Sequence, residues 1–405
     1  MTVDFVNENP LDLCDGDSDD DSDDFSQMEV DTVTSRNNSN AFLTEKPIVK
    51  NESLFYAMKL PLLIGAMWGL LPLRDLEGKS AEITWKSWAN CRTLVSLQII
   101  LLVGCFTMFI GIDFIIEVSQ STGNSIGSIA GKLSGVWFYT AGLFVYLFAL
   151  LRSKQAAEFF RLWKRISQRI RTTVSESGKL KRELNIICLT VLASATGENI
   201  LFHVYSMRTG IVSRGLELTF WNFLEDYYNS NQYIKRFFSY DPVITVLMFV
   251  VNKMALFAWN FGDIILMMIS WSLYTRFRAI NSFVEQYLSW DLPIPYTKQG
   301  MIPWHKVRRN YMRTVRLLDE ADKIFYPLIW VSYSTNIFFV CNQLYIGIRN
   351  ADIKTTVERI YLVWSFLHLS LRTLAVNLFA ARINESSQDL SRLLQFCPPN
   401  EYDPE

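Results

Sequence analysis

The sequence is short of the residues that metal and nucleophile chemistry need. Its 405 residues include three histidines (His203, His305, His368) and six cysteines (Cys14, Cys91, Cys105, Cys188, Cys341, Cys397) scattered singly without a CxxC pair. That pattern argues against a disulfide framework and a zinc site. There is no histidine box, HExxH, GxSxG or phosphate-cradling glycine loop, so no enzyme is expected, and no catalytic residue, metal or cofactor is assigned. The amino end lacks an apolar stretch with a small-residue cleavage site, so no cleavable signal peptide is expected and the first spanning helix should direct insertion. No internal repeat of the secondary-transporter kind is visible, and no nucleic-acid partner is expected.

Apolar residues, by contrast, are abundant. They make up 50% of the chain, with 28 Phe, 17 Tyr and 12 Trp, and they come in blocks. About 20 residues with few charges are needed to cross roughly 30 Å of hydrocarbon as a helix. Six windows qualify: 92–117, 129–151, 183–206, 243–273, 326–348 and 358–381. Ahead of them, Ser53 to Leu73 is apolar but broken by Pro61, Gly65, Gly69 and Pro72, which predicts an interfacial or re-entrant helix. The fold class expected is therefore all-α: a polytopic transmembrane helical bundle in contact with membrane lipid, multi-pass, with a membrane-embedded domain over 51–390.

The flanks differ. Residues 1–40 carry twelve acidic side chains against Arg36 alone, so 1–50 reads as a solvated, disordered acidic tail, and 391–405 as a short carboxyl tail. Basic connections are retained in the cytoplasm. Lys and Arg number ten in 152–182 and nine in 274–325, against none in 118–128, four in 207–242 and two in 349–357. Both termini are thus placed in the cytoplasm, which argues against a G-protein-coupled receptor, whose amino end is outside, and the sequons at Asn37, Asn51 and Asn384 should go unused.

Polar groups inside hydrocarbon need a partner, a wet cavity or a function. The third span carries Glu198, Asn199 and His203, the last two on one face with Glu198 about 100° away. In the fourth, Asn252, Trp259 and Asp263 form one stripe, flanked by Lys253 and Asn260; in the sixth, Tyr361, Trp364, His368 and Arg372 repeat the arrangement. Rings that stack on C–H faces, beside amides and carboxylates that bond hydroxyls, are what a sugar or polyol requires. The candidate ligand contacts are Glu198, Asn199, His203 and Asp263, with Trp259 and Tyr139 as stacking partners and Trp137, Asn252, Trp330 and Tyr333 behind them. The alternative is ordinary interhelical polar contact with interfacial aromatics, common in any bundle.

The run SLFYAMKLPLLIGAMWGLLPLRDL at Ser53–Leu76 resembles the amino-terminal signature of insect gustatory receptors of the sugar-receptor subfamily. The inside amino terminus, the basic loop after the second span, WNFGDI at Trp259–Ile264 and ARINESSQDL at Ala381–Leu390 are similar too. The resemblance implies a subunit of a ligand-gated cation channel in the plasma membrane of taste neurons. It would form a homo- or hetero-tetramer with other gustatory receptor subunits, each holding sugar in the outer half of its helices. Members of that family continue past the position of Cys397-Pro398-Pro399 into a seventh, pore-lining span ending in Thr-Tyr-x5-Gln-Phe. This sequence stops at Glu405 without that motif, so it is expected to be truncated before the seventh span. A non-conducting or accessory subunit and a solute transporter are the alternatives.

Overall fold

The computed structural model describes residues 54–71, 91–120, 126–170, 179–215, 217, 219–288, 304–349 and 356–394. The acidic tail, Asn37, Asn51 and Cys397-Pro398-Pro399 lie outside them. Eleven α-helices occur among the described residues: α1 (Leu54–Ala57), α2 (Lys59–Met67), α3 (Cys91–Gln120), α4 (Ile126–Leu151), α5 (Ser153–Ile170), α6 (Lys179–Gly210), α7 (Phe220–Ser230), α8 (Gln232–Lys235), α9 (Pro242–Leu288), α10 (Trp304–Arg349) and α11 (Thr356–Leu394). Six of them, α3, α4, α6, α9, α10 and α11, are long and apolar enough to cross a bilayer, one for each predicted span. The end of the bundle that carries α7, α8, the end of α3 and the start of α4 is called outer below, following the charge count.

The inner ends hold the main departure from expectation. The connection 274–325, read as a basic loop, is helical over most of its described length, because α9, α10 and α11 run 47, 46 and 39 residues. At 1.5 Å per residue such helices overrun a 30 Å hydrocarbon layer about twofold. Beyond the apolar windows they pack on one another through a second small core of Ile280, Val284, Trp304, Val307 and Leu390. Hydropathy windows see only the lipid-level part, since the extensions are amphipathic and charged outside. α11 also passes the domain border set at residue 390.

The broken segment before the first span forms α1 and α2, which are packed into the bundle: Leu54, Met58, Leu62 and Leu70 are fully buried. Pro61 sits in the first turn of α2, where its missing N–H has no helical acceptor to lose. The chain leaves α2 at Gly69 with φ 70°, a left-handed conformation that glycine adopts freely. There the Gly69 carbonyl accepts from Ser96 Oγ at 2.6 Å, and the neighbouring Trp68 carbonyl accepts from Tyr146 OH at 3.1 Å.

α9 is the central helix. From Ala255 to Ile264 nearly every residue is buried, the pattern of a helix surrounded by others. Its start is set by Asp241, whose carboxylate accepts from the Val243 and Ile244 amides at 2.7 and 3.1 Å, with Pro242 at the first helical position. α4 crosses α9 at Gly142, where a Cβ would lie 2.9 Å from the Ala255 Cα. Small residues let helices approach this closely in lipid. Gly142→Leu should therefore separate α4 from α9 and destabilise the bundle by about 1–3 kcal/mol. The thermal midpoint of the purified protein, followed by tryptophan fluorescence, measures this; an unshifted midpoint would mean the crossing tolerates a side chain.

Candidate ligand-binding site

A cavity of about 630 Å³ opens between the outer halves of α3, α4, α6, α9, α10 and α11, well within the roughly 300–1,000 Å³ range of small-molecule sites. Ser230, Asn231 and Tyr233, from α7 and α8 and the join between them, stand at its mouth. Its polar lining falls into three levels.

At the rim, Lys132 of α4 reaches Asp113 at 3.1 Å and Glu117 at 2.9 Å, both on α3. Arg236, just beyond α8, meets the same carboxylates at 2.8 and 3.8 Å. Below lies an amide and hydroxyl level. Asn252 donates to Tyr139 OH at 3.1 Å, which sits 3.3 Å from Tyr233 OH. Ser365 Oγ donates to Glu198 Oε1 at 3.0 Å and accepts from Gln343 Nε2 at 3.1 Å, while His368 Nδ1 meets Ser194 Oγ at 2.9 Å. Lys253 Nζ donates to Asn199 Oδ1 at 2.8 Å and is 2.6 Å from His203 Nε2.

Arg372 forms the floor. Its guanidinium pairs with Asp263 at 3.0 Å, donates to Asn260 and to Asn336 (2.9 Å), and lies 4.1 Å from the centre of the Trp259 ring. Asp263 also accepts from Ser332 and Asn336. The Asp263 oxygens and the two terminal guanidinium nitrogens thus have hydrogen-bond partners, while Arg372 Nε, 3.0 Å from Asp263 Oδ2, is held by charge alone; such support is what makes a buried ion pair tolerable.

Two consequences bear on a ligand. Four cationic side chains (Lys132, Lys253, Arg236, Arg372) stand against four carboxylates (Asp113, Glu117, Glu198, Asp263), the two at the middle level coupled through space: Glu198 feels both Lys253 and Arg372. Their formal charges cancel. The second consequence concerns the Trp259 indole N–H and the Gln343 amide oxygen: both belong to cavity-lining residues, and both are buried without a hydrogen-bond partner among the described residues. Such orphans are what a bound polar molecule or water satisfies. At the mouth, burial pushes the Tyr233 phenol well above its ordinary value, so it remains a neutral hydroxyl. Burial likewise raises the Asp226 carboxyl in the adjoining α7, opposed by the nearby Arg214 cation.

Of the residues expected from sequence, Glu198, Asn199, Tyr139, Asn252 and Trp259 line the cavity. The face shared by Asn199 and His203 is used in common, since both engage Lys253; His203, ringed by Phe202, Phe223, Tyr227 and Phe249, backs the wall and is outside the lining. Asp263 lies under the floor, holding Arg372. Trp259 was expected as a stacking plate, yet its ring already packs on Phe339 at 4.7 Å and under Arg372; its free N–H is what it offers. Trp137 packs on Phe338 and is not among the lining residues. Trp330 and Tyr333 are 57% and 50% exposed on the outward face of α10, about 160° and 100° round the helix from the buried Ser332. Among the residues missed were Asp113, Lys132, Tyr233, Asn342, Gln343 and Ser365. Asp113 had a signal, a carboxylate standing with Glu117 near the outer end of the first apolar window; Gln343 and Ser365 are inconspicuous until α6, α10 and α11 are brought together.

Comparison with known proteins adds three findings. The family described as "Trehalose receptor" matches residues 34–405. Gustatory receptor for sugar taste 64a of Drosophila melanogaster is 26% identical over 364 residues, 86% of this chain and 74% of that one; gustatory receptor 5a for trehalose, from the same fly, is 29% identical over 168 residues, 42% and 36% of the two chains. Among solved structures, the insect olfactory receptor OR5 of Machilis hrabei in complex with eugenol superposes with TM-score 0.56 at 14% identity, covering 86% of this chain and 87% of that one. That likeness shows a shared fold.

Proposed function

The chain belongs to the trehalose receptor family, a family of receptors rather than enzymes, and from that premise we propose that this multi-pass membrane protein binds an uncharged sugar in the outer cavity. The observation that carries the reading is the cavity's composition: room for a small sugar, amide, hydroxyl and carboxylate partners on several sides, rings from Tyr139, Phe138 and Tyr361 among them, and charges that cancel. A neutral polyhydroxyl compound exchanges its water hydrogen bonds for these without importing charge. Sugar would favour the conformation in which the walls close on it, and that differential affinity would drive the response. The plasma membrane of taste neurons, cation conduction and assembly into a tetramer with like or related subunits belong to the same proposal; they are supported by the sugar-taste relatives and by the fold shared with an insect olfactory receptor.

Equilibrium binding to the purified chain tests the reading. Trehalose or another neutral sugar should bind, whereas glucuronate and glucosamine of similar shape should bind at least about tenfold more weakly, because each brings an uncompensated charge into a low-dielectric, charge-balanced site. Equal affinity for all of them, or none for any neutral sugar, would remove it.

A further inference from the structure

Two hollows meet at the inner end of the bundle, far from the sugar cavity, where α4 gives way to α5 at Arg152. One is a crevice of about 70 Å³ with an apolar wall that includes Met58, Leu62, Val145, Phe148, Phe261 and Leu328. The other, about 390 Å³, lies between α5 and α10 and is lined by Arg152, Arg165, Arg316 and Lys323 together with Glu158 and Glu320. Arg152 and Ile324 border both. Lys323 is held by Glu320 at 3.1 Å and Arg152 donates to Gln155 at 2.6 Å. Arg165 and Arg316 have no carboxylate partner among the described residues. The basic hollow therefore keeps an excess of two positive charges.

We propose that these hollows together hold one anionic phospholipid of the adjoining leaflet, its phosphate headgroup among Arg152, Arg165 and Arg316 and the upper part of an acyl chain in the crevice. The placement fits the bilayer. Leu151 ends the apolar window of α4, so the two hollows straddle the level at which hydrocarbon gives way to headgroups. Guanidinium forks bond phosphate oxygens at two points, and clusters of basic side chains at this level attract anionic lipid. A soluble anion would use the basic hollow alone and leave the crevice empty; a zwitterionic lipid would leave the excess charge uncompensated. The shared Arg152 border makes one amphipathic molecule the better complement of both.

Native mass spectrometry of the full chain in detergent, with added dioleoyl phosphatidylinositol 4-phosphate, dioleoyl phosphatidylcholine or inorganic phosphate, decides it. One phosphatidylinositol 4-phosphate molecule should be retained, with phosphatidylcholine bound at least about tenfold more weakly and inorganic phosphate failing to displace it at equal concentration. Because the two arginines are exposed, the Arg165→Gln/Arg316→Gln double variant should keep its thermal midpoint without lipid and lose about thirtyfold in affinity. Equal retention of phosphatidylcholine, displacement by inorganic phosphate, or unchanged affinity in the double variant would each overturn the proposal.

Discussion

Arg372→Met should be the most damaging single change at the site, lowering stability by about 3–5 kcal/mol, since it strands Asp263 as an unpaired carboxylate among buried neighbours. Both members of the pair are nearly inaccessible, at 2% and 1% side-chain exposure, so the survivor loses the partner that its burial requires. The same change frees Asn260 and Asn336, whose oxygens Arg372 now satisfies. The double variant Arg372→Met/Asp263→Leu should recover much of the loss, because an apolar pair of similar volume removes the stranded charge along with its partner. Thermal midpoint and surface expression of the two singles and the double give the cycle. A single variant no worse than the double would mean that the pair is not the floor's keystone.

Glu198→Gln comes next, and its effect should fall on ligand affinity with little change in folding. The amide oxygen of glutamine can still accept from Ser365, preserving the contact between α6 and α11, whereas the charged acceptor facing the cavity is gone. Hydrogen bonds to charged groups are worth roughly 1.5–3 kcal/mol, so sugar affinity should fall about 10–100-fold. Trp330→Phe and Tyr333→Phe, on the outward face of α10, serve as paired controls and should leave affinity where it was. If the controls weaken binding as much as Glu198→Gln does, the ligand sits against the outside of α10.

Much of this was legible in the sequence, and the reasons are specific. An apolar window of the length of 92–117 or 129–151 has few alternatives to a membrane helix, so the six spans could be read without a structure. The inward extensions could not, because the 304–323 part of α10 mixes charge with apolar residues as a soluble helix does. At the site, Glu198, Asn199 and Asn252 stood out because a polar side chain in hydrocarbon demands a reason. What one helix cannot show is its rotation relative to its neighbours. Tyr333 and Ser332 are adjacent in sequence, yet Ser332 bonds to Asp263 inside the bundle and Tyr333 faces out. The Asp263–Arg372 pair joins residues 109 positions apart on α9 and α11, a partnership that periodicity within either helix cannot reveal. Asp263 therefore looked like a cavity-lining residue when its place is beneath the floor that Arg372 forms.

Thiol accessibility inside the cavity is the most direct measurement. Gln343→Cys, in a Cys105→Ser/Cys341→Ser background that removes the two exposed native thiols of the described spans, places a sulfhydryl on the cavity wall. A water-soluble methanethiosulfonate cation applied from the extracellular side should modify it, and sugar at about ten times its dissociation constant should slow that modification about tenfold by occupancy. A thiol that resists the reagent from outside, or reacts at a rate indifferent to sugar, would contradict a wet, outward-opening sugar site.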